Sequence, residues 1–143
     1  MTEIVSRNGE ETRALAATFV ESIKTVPGPL VVELVGDLGA GKTTFVKGVA
    51  ARLGITEEIT SPTFLIQRNY TIPAGFPWER LIHIDAYRIE KPEELEAIRF
   101  HEYASDPKNI VFIEWPANLG TDLPGARRIT FTHGHENERI INF

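Results

Sequence analysis

The sequence contains no cysteine, and this absence removes several kinds of chemistry at once. Without a thiol there is no disulfide framework, no thiolate metal ligand and no cysteine nucleophile. Positive charge is also scarce: 15 Lys and Arg stand against 20 Asp and Glu, which gives a formal net charge of −5. Because affinity for nucleic acids comes mainly from clustered Lys and Arg, we expect no DNA binding and only an indirect role with RNA.

Long apolar runs are missing as well. Nowhere do about 18 apolar residues follow one another, the length from which a membrane-spanning helix is inferred, and the first 11 residues contain no apolar targeting segment. We therefore expect a cytoplasmic protein with no membrane partner. The 143 residues suffice for one hydrophobic core, so we expect a single domain over 1–143.

Strand and helix patterns alternate along the chain. Apolar spacing predicts helices over 10–24, 42–53 and 92–103, and a β-branched run predicts a buried strand over 30–35. Further strands are predicted over 64–70, 81–85, 110–114, 128–132 and 139–143. This alternation predicts an α/β fold, a three-layer sandwich with a mostly parallel central sheet and a ligand at the carboxyl ends of its strands.

The segment between the first of these strands and the helix after it carries the clearest motif. It matches the phosphate-loop pattern GxxxxGK[ST] and reads Gly36-Asp37-Leu38-Gly39-Ala40-Gly41-Lys42-Thr43. The glycines let backbone amides converge on phosphate oxygens, and the helix that follows adds its positive end. Lys42 is suited to the β- and γ-phosphates and the Thr43 hydroxyl to Mg²⁺. The sequence therefore predicts ATP or GTP bound with Mg²⁺.

Two predicted strands end in a carboxylate, Asp85 and Glu114. Each is either a solvated acid at a strand end or a partner of the bound metal, and the phosphate loop upstream favours the second interpretation. Which of the two touches the metal stays open. Thr63, in the turn before the next strand, is either a switch hydroxyl near the γ-phosphate or part of an ordinary Ser-Pro turn.

Three further side chains have two interpretations each. His83 is a core histidine or a catalytic group, and its residue type favours the core. Arg88 either stabilises phosphate charge or pairs with Glu90, the pairing being favoured. Trp115 either stacks near the nucleotide or packs at a strand end, with equal weight.

Other motifs in the sequence, present or absent, indicate which nucleotide is bound and which class of reaction is catalysed. The Asn-Lys-x-Asp element by which GTPases specify guanine does not occur, which favours ATP. A small-molecule kinase commonly has an Arg-rich lid, and here Arg127-Arg128 is the one adjacent basic pair. Two alternatives to an ATPase stay open, a small-molecule kinase of the same fold and a module whose ATP-bound state, rather than turnover, controls assembly.

Four motifs in this order closely resemble the TsaE (YjeE) family of bacterial ATPases, over nearly the whole chain from Thr12 to Arg139. They are Gly36-Asp37-Leu38-Gly39-Ala40-Gly41-Lys42-Thr43-Thr44, Ser61-Pro62-Thr63-Phe64, His83-Ile84-Asp85-Ala86-Tyr87-Arg88 and Glu114-Trp115-Pro116. The resemblance implies an ATPase accessory to TsaB and TsaD in making threonylcarbamoyladenosine in tRNA. It implies contact with tRNA only through that complex.

The resemblance also implies roles for individual residues. Glu114 is implied as the second Mg²⁺ contact beside Thr43, Asp85 as the acid needed for hydrolysis and Thr63 as the switch hydroxyl. The residues implied to border the nucleotide are Thr12, Asp37, Leu38, Gly39, Ala40, Gly41, Lys42, Thr43, Thr44 and Arg139. One departure stands out: family members commonly carry a Gly shortly after the segment that here reads Glu94-Leu95-Glu96, where this chain has Ile98-Arg99-Phe100.

Overall fold

The structure, a computed structural model, describes residues 3–37, 41–60, 66–120 and 123–143. In these residues the strands are β1 Glu3–Ser6, β2 Leu30–Gly36, β3 Gln67–Thr71, β4 Arg80–Asp85, β5 Asn109–Glu114, β6 Arg127–His133 and β7 Arg139–Asn142. They form one seven-stranded sheet in the order β1-β7-β6-β2-β5-β4-β3. The four central strands are parallel, and β1, β7 and β3 add antiparallel edges. The predicted α/β sheet with a parallel centre is confirmed.

Helices cover both faces of this sheet. The described residues form α1 Gly9–Ile23, α2 Lys42–Arg52, α3 Pro92–Ala97, α4 Phe100–Ser105 and a short 3-10 helix, Pro116–Leu119. Side chains alternate along β5, so Phe112 packs in the cluster with α1 and α2 whereas Ile113 packs in the cluster with α3 and α4. Two apolar clusters on opposite faces give the predicted three layers.

The two long helices pack against each other closely, and this fixes where their N-termini lie. A Cβ on Gly48 of α2 would come within 2.7 Å of both the Ala16 Cβ and the Arg13 Cα of α1, so the absence of a side chain permits the approach. Phe19 and Phe45 close the same contact with ring centroids 5.9 Å apart. As a result the first turn of α1 lies beside the first turn of α2, at the carboxyl edge of the central strands.

Some local predictions were wrong or incomplete. The helix predicted over 92–103 is two helices, separated where Arg99 adopts a left-handed conformation with φ 59°. The strand β1 was not predicted, because only one of its four residues is buried and the segment has no apolar alternation. The strand predicted over 64–70 is β3, Gln67–Thr71, and residues 61–65 lie outside the described ranges. No helix among the described residues has the length and apolar content to cross a membrane.

Candidate functional site

The carboxyl ends of β2, β4 and β5 meet at one edge of the sheet. Asp85 and Glu114 are register partners across the parallel pair β4 and β5, and Glu114 is also the register partner of Leu34 on β2. Because both carboxylates follow the same alternation as Phe112, they stand on the face that α1 and α2 cover. The structure thus places the two predicted acids next to each other. Glu114 is 4% exposed and Asp85 is 6% exposed.

The phosphate loop leaves this edge from β2 and enters α2. A Cβ at Gly36 would lie 2.4 Å from the Phe131 carbonyl oxygen of β6, so a side chain there would force β2 and β6 apart. Gly41 has φ 98°, a left-handed conformation that glycine adopts without strain, and α2 begins at the next residue. The first turn of α2 therefore presents its unpaired amides to the space above the strand ends. Leu38, Gly39 and Ala40 lie outside the described residues.

Lys42 occupies the centre of this space. Its ammonium group donates a hydrogen bond to the Gly36 carbonyl oxygen at 2.6 Å and lies 4.0 Å from the centroid of the Trp115 ring. Burial lowers the pKa of Lys42, while the negative charges of Glu114, Asp85 and Asp37 act in the opposite direction. A lysine that is 4% exposed and close to these acids is placed to bind an anion together with a cation.

Glu114 connects the loop's helix to the neighbouring strand. Its Oε2 accepts a hydrogen bond from the Thr43 hydroxyl at 3.4 Å and lies 2.6 Å from Nε2 of His83. One hydroxyl and one carboxylate side by side are hard oxygen donors, and Mg²⁺ commonly takes only one or two protein oxygens and completes its shell with phosphate and water. The donor chemistry of Thr43 and Glu114 therefore fits Mg²⁺ carried with a nucleotide.

Hydrogen bonds of both its backbone and its side chain hold Asp85 in place. Its N–H donates to the Ile66 carbonyl oxygen at 2.7 Å, and its Oδ1 accepts from the Tyr87 N–H at 3.0 Å. The carboxylate thereby holds the turn that follows β4 and still reaches the cleft. Thr63, which precedes this region in the chain, lies outside the described residues.

The opposite wall of the cleft is the N-terminal turn of α1. Thr12 is 3% exposed and its hydroxyl lies 2.7 Å from the hydroxyl of Ser6, the last residue of β1. Asn8 caps the helix by accepting from the Glu11 N–H at 2.8 Å, and Glu11 in turn accepts from the Arg7 N–H at 2.6 Å. This network sets Thr12 at the border of the cleft, because β1 and the cap fix the entry into α1.

These elements enclose a cleft of about 580 Å³. Its lining comprises Arg7, Asn8, Gly9, Thr12, Gly41, Lys42, Thr43, Thr44, Asp85, Glu114, Trp115, Asn137 and Arg139. Nine residues singled out from the sequence thus line one cavity, although they come from five separate segments. Asp37 does not line this cleft: it is exposed and borders a second cavity of about 440 Å³, which Trp115 also lines.

Four lining residues were not predicted: Arg7, Asn8, Gly9 and Asn137. The Asn8-x-x-Glu11 capping pattern would have located the helix start, and with it the first three. Nothing in the sequence around Asn137 indicates its position. Of the open alternatives, Arg88 is exposed in the turn after β4, and Trp115 both packs on the α3 and α4 cluster and lines the cleft. His83 is fully buried and touches the site through Glu114.

Comparisons with known proteins agree with one another. The family model described as threonylcarbamoyl adenosine biosynthesis protein TsaE matches residues 6–141. A Bacillus subtilis protein named tRNA threonylcarbamoyladenosine biosynthesis protein TsaE is 40% identical over 137 residues, which are 95% of this chain and 80% of that protein. A protein of the same name from Nostoc sp. (strain PCC 7120) is 36% identical over 142 residues, 97% of this chain and 83% of its own length.

A solved structure extends the likeness to three dimensions. The crystal structure of Bacillus subtilis YdiB aligns with a TM-score of 0.74 and 32% sequence identity, covering 98% of this chain and 82% of the other. The shared sequence and the shared fold thus extend over the strands and helices that build the cleft.

Proposed function

Since the chain belongs to the TsaE family and its function lies in the biosynthesis of threonylcarbamoyladenosine in tRNA, we propose that it binds ATP with Mg²⁺ in the cleft and hydrolyses it weakly. The observation that carries this proposal is the convergence of Lys42, Thr43, Asp85 and Glu114 at the start of one helix. A lysine, a hydroxyl and two acids around free helix amides form a site for a phosphate chain with its metal.

Each of these side chains has a role in the proposal. The amides of the loop from Asp37 to Thr44, Leu38, Gly39 and Ala40 included, bind the phosphates, and Lys42 neutralises their charge. Thr43 and Glu114 hold Mg²⁺, which when bound spreads the developing negative charge of the transferred phosphoryl group. Asp85 orients the attacking water or serves as a second metal contact, and Thr63 acts as the switch hydroxyl.

Thr12 and Arg139 border the nucleotide from the other wall of the cleft. Arg139 donates from Nη1 to the Glu138 carbonyl oxygen at 3.0 Å. Both residues lie beside the phosphate loop, since a Cβ at Gly41 would be 3.9 Å from Arg139 Cγ and 4.0 Å from Thr12 Cγ2. We assign these two residues to the nucleoside end of ATP, because the phosphate end is taken by Lys42.

The proposed setting is a cytoplasmic complex with TsaB and TsaD, in which this chain is a single ATP-binding domain over 1–143. A weak ATPase of this kind is accelerated when a partner orders its catalytic groups. The formal net charge of −5 argues against direct binding to tRNA phosphates, so in this proposal contact with tRNA runs through the partners.

Calorimetry with ATP tests the binding site itself. We expect the wild type to release or absorb heat as it binds ATP in the presence of Mg²⁺. The Glu114→Ala variant should bind ATP with the same affinity whether Mg²⁺ is present or not. An absence of binding heat in the wild type would refute the proposal.

Reconstitution tests the role. The chain is mixed with TsaB, TsaD and tRNA, and phosphate release and threonylcarbamoyladenosine are measured for the wild type, Lys42→Ala and Glu114→Ala. We expect turnover to rise with the partners and modification to fail in both variants. Full modification with a nonhydrolysable ATP analogue would instead favour an assembly module, and phosphoryl transfer to an added metabolite would favour a kinase.

A further inference from the structure

His83 is buried beside the proposed metal site but faces no solvent. It lies on β4 two residues before Asp85, and both side chains therefore point to the same face of the sheet. Its register partner on β5 is Phe112, which makes Glu114 the diagonal neighbour, within reach of a long side chain. The imidazole Nε2 lies 2.6 Å from Glu114 Oε2, and the His83 side chain is 0% exposed.

The direction of this hydrogen bond follows from the chemistry of the acceptor. An ionised carboxylate accepts and cannot donate, so Nε2 carries the proton that it donates to Glu114. The other ring nitrogen, Nδ1, is buried and has no hydrogen-bond partner among the described residues. Burying a polar atom without a partner lowers stability, a cost that an apolar side chain of similar size would avoid. The contact with Glu114 is the feature of His83 that an apolar residue could not supply.

Resting on the proposed function, we propose that His83 is a positioning residue that holds the Glu114 carboxylate beside the Thr43 hydroxyl, ready to bind Mg²⁺. The Glu114 oxygen that His83 contacts is the same Oε2 that accepts from Thr43. One atom is therefore fixed from two sides, by the strand next to it and by the helix that follows the phosphate loop. Such outer contacts orient metal-binding groups and are typically worth 10- to 100-fold in metal affinity.

The neighbourhood of Lys42 explains why a restraint on Glu114 is needed. The negative charge of Glu114 raises the pKa of the Lys42 ammonium group against the larger, opposite effect of burial, so the two groups interact electrostatically. Glutamate has three rotatable side-chain bonds, and an unrestrained carboxylate would turn toward that ammonium group. His83 keeps the carboxylate on Thr43, which leaves Lys42 to the phosphates.

Two substitutions of matched chemistry separate positioning from packing. In His83→Gln the amide nitrogen reaches as far as the imidazole Nε2 does, whereas in His83→Asn it ends near the position of Nδ1. Both variants bury one amide, and only the first can donate to Glu114. Ile84→Val is the control, because its side chain is also fully buried but packs on the opposite face of β4.

The measurement uses Mn²⁺ as a probe that electron paramagnetic resonance detects. Mn²⁺ is titrated into each protein saturated with ADP, and ADP affinity is measured separately in EDTA by calorimetry. We expect His83→Asn to weaken Mn²⁺ binding by about 10- to 100-fold and His83→Gln by no more than about threefold. ADP affinity without metal should match the wild type in both, and Ile84→Val should change neither quantity.

The outcomes divide cleanly. Equal behaviour of the Asn and Gln variants, whether both bind metal, both lose it or both fail to fold, would overturn the positioning role. An Asn variant that alone fails to fold, or that loses ADP affinity in EDTA, would overturn it too, since His83 would then serve the fold or the whole cleft. If the wild type itself bound neither ADP nor Mn²⁺, the proposed function would fail instead.

Discussion

The two faces of the sheet carry different kinds of side chain at neighbouring positions of the same strands. On the face that α1 and α2 cover, β4 and β5 place Asp85 and Glu114 at the cleft and His83 in contact with Glu114 beneath it. On the opposite face the adjacent residues Ile84 and Ile113 are fully buried against α3 and α4. Because successive side chains of a strand point to opposite faces, a residue of the site and a residue of the apolar core can be neighbours in the sequence.

The helices on the two faces differ as well. α1 and α2 have 15 and 11 residues and start at the cleft, with a close approach at Gly48. α3 and α4 have six residues each and meet at a left-handed residue. We conclude that substitutions on the α1 and α2 face at the strand ends should affect nucleotide binding, and that those on the opposite face should affect stability alone.

The largest effect is expected for Lys42→Ala. Removal of a buried ammonium that meets the phosphates should weaken ATP binding about a thousandfold, roughly 4 kcal/mol, with an unchanged circular dichroism spectrum. Isothermal calorimetry measures the affinity. Lys47→Ala is the matched control, because Lys47 is exposed on the same helix. ATP affinity retained in Lys42→Ala would remove this lysine from the site.

The next effect concerns the opposite face. Ile113→Ala removes a fully buried side chain one residue before Glu114, and should lower the free energy of unfolding by about 3 kcal/mol. Chemical denaturation measures this loss. ATP affinity of the folded variant should stay within about twofold of the wild type, because the Ile113 side chain packs on the opposite face of the sheet from Glu114. A tenfold loss of affinity would show that the two faces are coupled.

The titration of Lys42 should also change how the free energy of unfolding depends on pH. Burial lowers the pKa of Lys42 below its ordinary value of 10.5, so between the two pKa values the unfolded chain binds more protons than the folded one. Stability should therefore rise with pH in that interval, relative to Lys42→Met, which cannot titrate. Urea titrations at several pH values up to 10.5 give the difference in free energy of unfolding between the wild type and Lys42→Met. If the stability of the wild type relative to Lys42→Met fell with rising pH, burial would not be the dominant influence on the pKa of Lys42.

Much of the cleft could be predicted because its residues belong to local patterns. The phosphate loop lies in one continuous segment, and Asp85 and Glu114 each end an apolar run, so a parallel sheet must bring them together. His83 was harder to interpret, since a lone histidine in a strand is usually core. The signal was its position two residues before Asp85, which puts both on one face.

What the sequence could not predict depends on tertiary contacts. β1 has a single buried residue, Ser6, and exists through its antiparallel pairing with β7 at the far end of the chain. Likewise Asn137 reaches the cleft only because the turn before β7 folds back toward α1. Neither feature leaves a periodic pattern in the residues around it.

The smallest expected effect concerns the break between α3 and α4. Arg99 has φ 59°, a conformation that costs a residue with a Cβ about 1 kcal/mol, and its ion pair with Glu102 is exposed on both sides. Arg99→Gly should therefore raise the free energy of unfolding by about 0.5 kcal/mol, since glycine's greater freedom when unfolded offsets part of the relief. Denaturation of Arg99→Gly beside Arg99→Ala, which loses the same ion pair but keeps a Cβ, isolates the backbone contribution. If the two variants were equally stable, backbone strain at Arg99 would not contribute to the stability of the protein. A change in ATP affinity in either variant would show that the face covered by α3 and α4 is coupled to the cleft.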